Sequence, residues 1–114
     1  MSPPSRYVVT GANVGLGLES VNQLASLLTP PTAIYLLCRD EDSANDAISS
    51  LSTEYSWKED VSFTFVKFDG CNRSTVKSAI ETLSTSIPDG EIINGLLLNA
   101  GGFTSDKKGE ICDN

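Results

Sequence analysis

The chain has no histidine, one methionine and one tryptophan in 114 residues, and 8 basic side chains against 15 acidic ones. Each shortage closes off a class of function. Without histidine, and with three cysteines (Cys38, Cys71 and Cys112) in no Cys-x-x-Cys pair, the ligand set of a zinc site is missing. An odd, scattered set of cysteines reads as reduced thiols in an intracellular protein. A formal net charge of −7 leaves no basic stripe for nucleic acid to follow. It also gives nothing to attract an anionic membrane surface. No stretch approaches the ~20 apolar residues needed to span a bilayer. Met1 to Arg6 run directly into an apolar stretch with no signal core before it. The expected location is therefore cytoplasmic, or an organelle if a leader is missing from this sequence.

Acidity does not exclude an anionic cofactor. Charges more than ~8 Å apart are largely screened at physiological salt, so local donors decide. With 39% hydrophobic residues the chain has the composition of a globular domain. At this size it buries roughly two-thirds of its unfolded surface.

What is present is a regular alternation. Tyr7-Val8-Val9 is a short β-rich run ending at Thr10-Gly11. From Gly15 to Leu28 the apolar positions Val21, Leu24, Ala25 and Leu28 fall on one helical face, and Pro30-Pro31 stops the helix. Ala33–Cys38 is a continuous apolar run of strand length. Ala44, Ala47, Ile48 and Leu51 repeat the helical spacing over about Glu41–Tyr55, with Glu41 and Asp42 at the positive end of the helix dipole. Val61–Phe68 reads as a third strand. Val76, Ala79, Ile80 and Leu83 mark a third helix, capped by Asn72 or Ser74 and broken at Pro88-Asp89-Gly90. Ile92–Leu98 is a fourth strand leading into Asn99-Ala100-Gly101-Gly102, and the tail from Phe103 to Asn114 is polar with no clear period. Apolar strands joined by helices imply α/β, a parallel sheet covered on both faces, and right-handed crossovers make the doubly wound form the default. Trp57, Phe63 and Phe65 read as packing residues, and Cys38 as a small apolar residue inside the sheet.

The most informative stretch is Thr10-Gly11-Ala12-Asn13-Val14-Gly15-Leu16-Gly17, between the first strand and the first helix. Glycines here serve a tight turn, a close approach of backbone to a pyrophosphate, and close packing of helix on strand. The free N–H groups of the helix start then face the phosphates, aided by the helix dipole. The bland alternative is a tight turn with no ligand. The spacing is Gly-x-x-x-Gly-x-Gly. It disfavours the Gly-x-x-Gly-x-x-Gly turn of sugar-nucleotide epimerases, another nucleotide-binding α/β class.

Thr-Gly-Ala-Asn-x-Gly-x-Gly after a first strand resembles the short-chain dehydrogenase/reductases. Cys38-Arg39-Asp40 closing the second strand, Asp69 after the third and Leu98-Asn99-Ala100-Gly101 closing the fourth agree, in the same order, over essentially the whole chain. Gly15-Leu16-Gly17-Leu18 with Cys38-Arg39-Asp40 is similar to the protochlorophyllide-reductase and retinol-dehydrogenase-like branch. The resemblance implies a Rossmann-type sheet in the order 3-2-1-4, spanning residues 1–114 as a partial NAD(P)-binding domain. It implies cofactor contacts from Gly11, Asn13, Val14, Gly15, Leu16 and Gly17. By resemblance Arg39 meets the 2′-phosphate of NADP, with NAD the lesser expectation. Against this, Asp40 could reach a 2′-hydroxyl instead, and Arg39 could be a solvated surface residue. Asp69 would accept from the adenine amino group with Gly70 leaving room for the ring, unless Asp-Gly is simply a turn. Asn99, Ala100 and Gly101 would floor the cofactor ribose, or form an ordinary loop.

The catalytic serine and the Tyr-x-x-x-Lys pair of that family are not found. Four residues after Tyr7, Tyr35 and Tyr55 stand Gly11, Arg39 and Glu59. The sequence therefore reads as the front part of an oxidoreductase, expected not to turn over substrate as written. Its partners would be the dinucleotide and, if a second half exists, a small-molecule substrate. The alternative is a non-catalytic nucleotide-binding or association module that pairs through an exposed fourth strand.

Overall fold

A computed structural model describes residues 3–99. The elements run β1 (Ser5–Thr10), α1 (Gly15–Leu27), β2 (Thr32–Cys38), α2 (Glu41–Glu54), β3 (Val61–Lys67), α3 (Arg73–Ser86) and β4 (Gly95–Leu97). All pairings are parallel, and the strand order is β3-β2-β1-β4. The doubly wound α/β reading and its 3-2-1-4 order therefore hold.

The burial pattern explains the sheet. β2 lies inside it and is apolar from Ala33 to Cys38 because helices cover both its faces; all seven of its residues are buried. On one face Val9, Ile34 and Leu36 pack against Val21 and Ala25 of α1 and Leu51 of α2. On the other, Val8, Tyr35, Leu37 and Val66 meet Ala79 and Leu83 of α3. The predicted helical faces of α1 and α2 are thus the ones that pack. Caps follow chemistry: Asp40 accepts from the Asp42 N–H to open α2, and Asn72 accepts from Ser74 N–H to open α3. Asn72, not Ser74, is the cap. Lys58 closes α1 by donating its Nζ to the carbonyls of Ala25 and Leu28, both at 2.7 Å.

Four expectations are corrected. The fourth strand is three residues long, not seven. Its register sets Tyr7 beside Gly95, so Ile92 would fall opposite Pro4, which has no N–H to give a ladder. Trp57 is 72% exposed and only flanks the Tyr55 ring at 6.4 Å, since it follows the end of α2 rather than sitting in the core. Ile80 is 60% exposed, because α3 turns Ala79 rather than Ile80 to the sheet. Cys38 is a free buried thiol, but Cys71 is disulfide-bonded. Sequence spacing does not limit which cysteines approach within bonding distance in space.

Candidate functional site

In a parallel sheet the loops after every strand gather at one edge. Here that edge carries the glycine turn after β1, Arg39 after β2, Asp69 after β3 and Asn99 after β4. β1 sends the chain to β2 on one side, and the chain later returns on its other side as β4. The crevice between β1 and β4 is the topological switch point, where ligands of such sheets bind.

The three glycines of the turn act differently. Gly11 and Gly15 have φ of 63° and 61°, the left-handed region that side chains avoid. Gly17 is demanded by space: a Cβ there would lie 2.0 Å from the Gly11 carbonyl oxygen and 2.7 Å from Asn99 Nδ2. Residues from two separate motifs therefore meet at one point. Val14 precedes α1 in extended geometry and no side chain caps this helix, unlike α2 and α3. The first-turn N–H groups have no intrahelical acceptor, and a helix start of this kind favours an anion. Val14 and Leu16 are 61% and 78% exposed and flank the turn. Asn13 donates its Nδ2 to Ser43 Oγ at 3.1 Å, tying the turn to the first turn of α2.

Thr10 joins the two sides of the crevice. Its Oγ1 accepts from the Asn99 N–H at 2.9 Å and stands 3.4 Å from the Leu97 carbonyl. Asn99 Nδ2 makes a long contact, 3.5 Å, with the Gly11 carbonyl. Ala100 and Gly101, the rest of the expected ribose floor, lie outside the described residues.

Arg39 is exposed at the end of β2. Asp40 beside it uses Oδ1 as the α2 cap, so its carboxylate is already engaged in holding the helix start. Asp69 is also engaged. Its Oδ1 accepts from Cys71 N–H at 2.9 Å, its carbonyl accepts from Asn72 N–H, and its own N–H donates to Thr75 Oγ1 at 3.0 Å. This is an Asx turn fixed by Thr75, so the turn geometry weighed for Asp69-Gly70 is present. One carboxylate oxygen remains outside that turn. Gly70 is exposed, and a Cβ there would meet only the Phe68 ring at 3.8 Å. Cys38, just before Arg39, is 4% exposed. Burial pushes its thiol up to about 11, and the Asp40 carboxylate adds to the rise. It is a packing residue and not a nucleophile.

Three residues were missed by sequence reasoning: Thr10, Ser43 and Thr75. A hydroxyl next to a turn is a common structural residue, and only the fold shows which partner it reaches. A cavity of about 400 Å³ lies between α1 and α2, with Glu19, Asp46 and Glu54 along it. It reaches Asn13 of the glycine turn and Ser43 of α2, but the carboxylates along it oppose an anion. The switch-point crevice, with its glycine turn and the uncapped start of α1, is the better site for an anion.

The fold and its glycine-lined crevice define a doubly wound α/β unit opening at its β1–β4 edge. Its similarity is to the short-chain dehydrogenase/reductases. The NADPH-bound carbonyl reductase from chicken fatty liver matches with a TM-score of 0.72 at 25% identity, over 96% of this chain and 42% of that one. Menthone neomenthol reductase from Mentha piperita matches with a TM-score of 0.72 at 27% identity, over 88% of this chain and 32% of that one. L-Sorbose reductase from Gluconobacter frateurii, solved with NADPH and L-sorbose, matches with a TM-score of 0.70 at 24% identity, over 96% and 38%. The chain thus spans about two-fifths or less of the length of these structures. No protein-family model matches the chain, and no curated protein matches its sequence. Among the described residues no helix is long and apolar enough to cross a membrane.

Proposed function

We propose that this chain binds NADP(H) as the nucleotide-binding portion of a short-chain dehydrogenase/reductase-type oxidoreductase. In the complete protein, hydride would pass between the nicotinamide and a carbonyl, alcohol or double bond. The observation that carries the reading is the close approach at Gly17. Only glycine fits between the Gly11 carbonyl and Asn99, and this presses the uncapped start of α1 against the mouth of the β1–β4 crevice. The N–H groups there would hold the diphosphate. Gly11, Asn13, Val14, Gly15, Leu16 and Gly17 would line it, Asp69 and Gly70 would seat the adenine, and Asn99 with Ala100 and Gly101 would underlie the ribose.

NADP is preferred to NAD because Arg39 stands exposed at the end of β2 while Asp40 is engaged as a helix cap. A guanidinium can meet a 2′-phosphate with paired, charge-assisted hydrogen bonds. Such bonds contribute about 1.5–3 kcal/mol, and about 1.4 kcal/mol corresponds to tenfold in affinity. NADPH should therefore raise the melting temperature more than NADH at equal concentration, and Arg39→Ala should erase the difference. Equal shifts in the unaltered protein would overturn the Arg39 assignment.

One observation favours a second reading, association through β4. Among the described residues this strand is an edge, and Leu96 on it and Leu98 just past it are 58% and 78% exposed. Light scattering of the purified protein distinguishes the two readings. A dimer that Leu96→Lys makes monomeric supports association, and a monomer throughout opposes it.

A further inference from the structure

β4 is a weak element in a demanding place. It pairs with β1 over only Gly95, Leu96 and Leu97, and nothing flanks its other edge among the described residues. Yet its end fixes Asn99 against Gly11 and Gly17. A three-residue edge strand gains little from its own ladder, so its position must be imposed at its ends. At the downstream end Thr10 receives the Asn99 N–H.

The upstream end is held by a cluster that the glycine turn and its partners do not explain. Arg6 in β1 is 5% exposed, unusual for a guanidinium. It forms an ion pair with Glu91, whose side chain is 29% exposed. Asn94 closes the cluster on the backbone: its Oδ1 accepts from Arg6 N–H at 2.8 Å, and its N–H donates to the Arg6 carbonyl at 2.7 Å. A buried charge must keep its partner, so Arg6 dictates where Glu91 lies. Glu91 N–H in turn donates to the Pro88 carbonyl, which ties in the turn leaving α3. Just past this cluster Gly95 lies against the Tyr7 ring, where a Cβ would be 2.6 Å from Cδ1. The strand can neither slide nor lift without breaking one of these contacts.

We infer that Arg6, Glu91 and Asn94 form a clasp that sets the register of β4 and so positions Asn99 in the dinucleotide crevice from the opposite end of the strand. These are positioning residues. None of them lies at the strand ends where the cofactor would sit, and Asn99 is five residues beyond Asn94, on the order of 15 Å along extended chain. The inference rests on the NADP(H) reading above. It goes further by naming what sets the far wall of the site.

The structure divides the cofactor's supports in a way that makes the clasp testable. The glycine turn, Arg39 and Asp69 hang on β1, β2 and β3, and none of them on β4. A ligand such as 2′,5′-ADP, which carries only the adenosine end, would use those three. NADPH would use them and also the floor at Asn99, which would lie under the ribose on the nicotinamide side, a part that 2′,5′-ADP lacks. Calorimetric titration of the full chain with both ligands is the experiment. Glu91→Gln should weaken NADPH about tenfold, or about 1.4 kcal/mol, while 2′,5′-ADP changes by no more than about twofold. Asn94→Ala, which leaves the ion pair in place, should give the same split with a smaller amplitude, and it serves if Glu91→Gln does not fold. Equal weakening of both ligands would mean general loosening and would overturn the clasp as a positioning device, as would no change in either. If the unaltered chain binds neither ligand, the dinucleotide reading fails and takes the clasp with it. If it binds both and only the split is absent, the clasp alone fails.

Discussion

Two glycines lie near the edge where the strands end, Gly17 in the first turn of α1 and Gly70 after β3, and the molecule treats them in opposite ways. A side chain at Gly17 would collide with the Gly11 carbonyl oxygen at 2.0 Å, whereas one at Gly70 would touch only the Phe68 ring at 3.8 Å. The first turn is held by steric closeness: backbone lies against backbone, and no side chain caps the N–H groups that start α1. The second is held by hydrogen bonds, from Cys71 to the Asp69 carboxylate and through Thr75 to both the N–H and the carbonyl of Asp69. A glycine that the protein's own packing requires reports on the fold. A glycine that the packing does not require is informative only if a ligand fills the space beside it.

The largest effect should come from breaking the steric turn. In Gly17→Ala the new methyl would meet main-chain oxygen, which cannot move aside as a flexible side chain does. Overpacking of this kind costs about 1–3 kcal/mol and occasionally more. Displacing the start of α1 should also remove NADPH binding, because the N–H groups move with it. Chemical denaturation and calorimetry should both register the change. Wild-type stability and affinity in this variant would mean that the Gly11–Gly17 approach is not needed.

A smaller effect should come from the hydrogen-bonded turn. Thr75→Val keeps the shape of the side chain and removes the hydroxyl that serves Asp69, leaving a part-buried N–H without that acceptor. An orphaned polar group of this kind costs about 1–3 kcal/mol when buried, and the partial exposure here puts the expectation at the lower end, about 1 kcal/mol. Thr75→Ser should restore most of it. Loss of stability in both variants alike would mean that the methyl group, not the hydroxyl, matters.

The same contrast explains what could be read from the sequence. The strands and the helices α1 and α2 were legible because their apolar spacing coincides with a face that packs: Val21 and Ala25 in α1, and Ala44, Ala47 and Leu51 in α2, are all buried. The glycine turn was legible because backbone geometry admits few residue types there. β4 was overestimated because Ile92 and Ile93 look like strand residues. Whether they pair depends on what lies opposite: for Ile92 that is Pro4, with no hydrogen to donate, and for Ile93 it is Ser5, whose N–H is given to the Pro31 carbonyl. Trp57 and Ile80 were misplaced for a related reason: an aromatic or β-branched residue does not announce which way its element turns. The clasp was illegible altogether. Arg6 and Glu91 are 85 positions apart and each looks like an ordinary surface charge, until the fold buries one against the other.

The smallest stability effect separates a structural glycine from a ligand's glycine. Gly70 has room beside it and does not occupy the left-handed region, so Gly70→Ala should leave stability within about 0.5 kcal/mol of wild type. It could even gain slightly from a less flexible unfolded chain. If the adenine ring lies over Asp69-Gly70, however, the added methyl occupies its place, and NADPH affinity should fall by about tenfold, equivalent to about 1.4 kcal/mol. A flat thermal melt combined with weakened binding would locate the adenine where only the ligand, and not the protein, requires a glycine. Unchanged affinity in a folded variant would place the ring elsewhere and leave Asp69-Gly70 as a structural turn that no ligand requires.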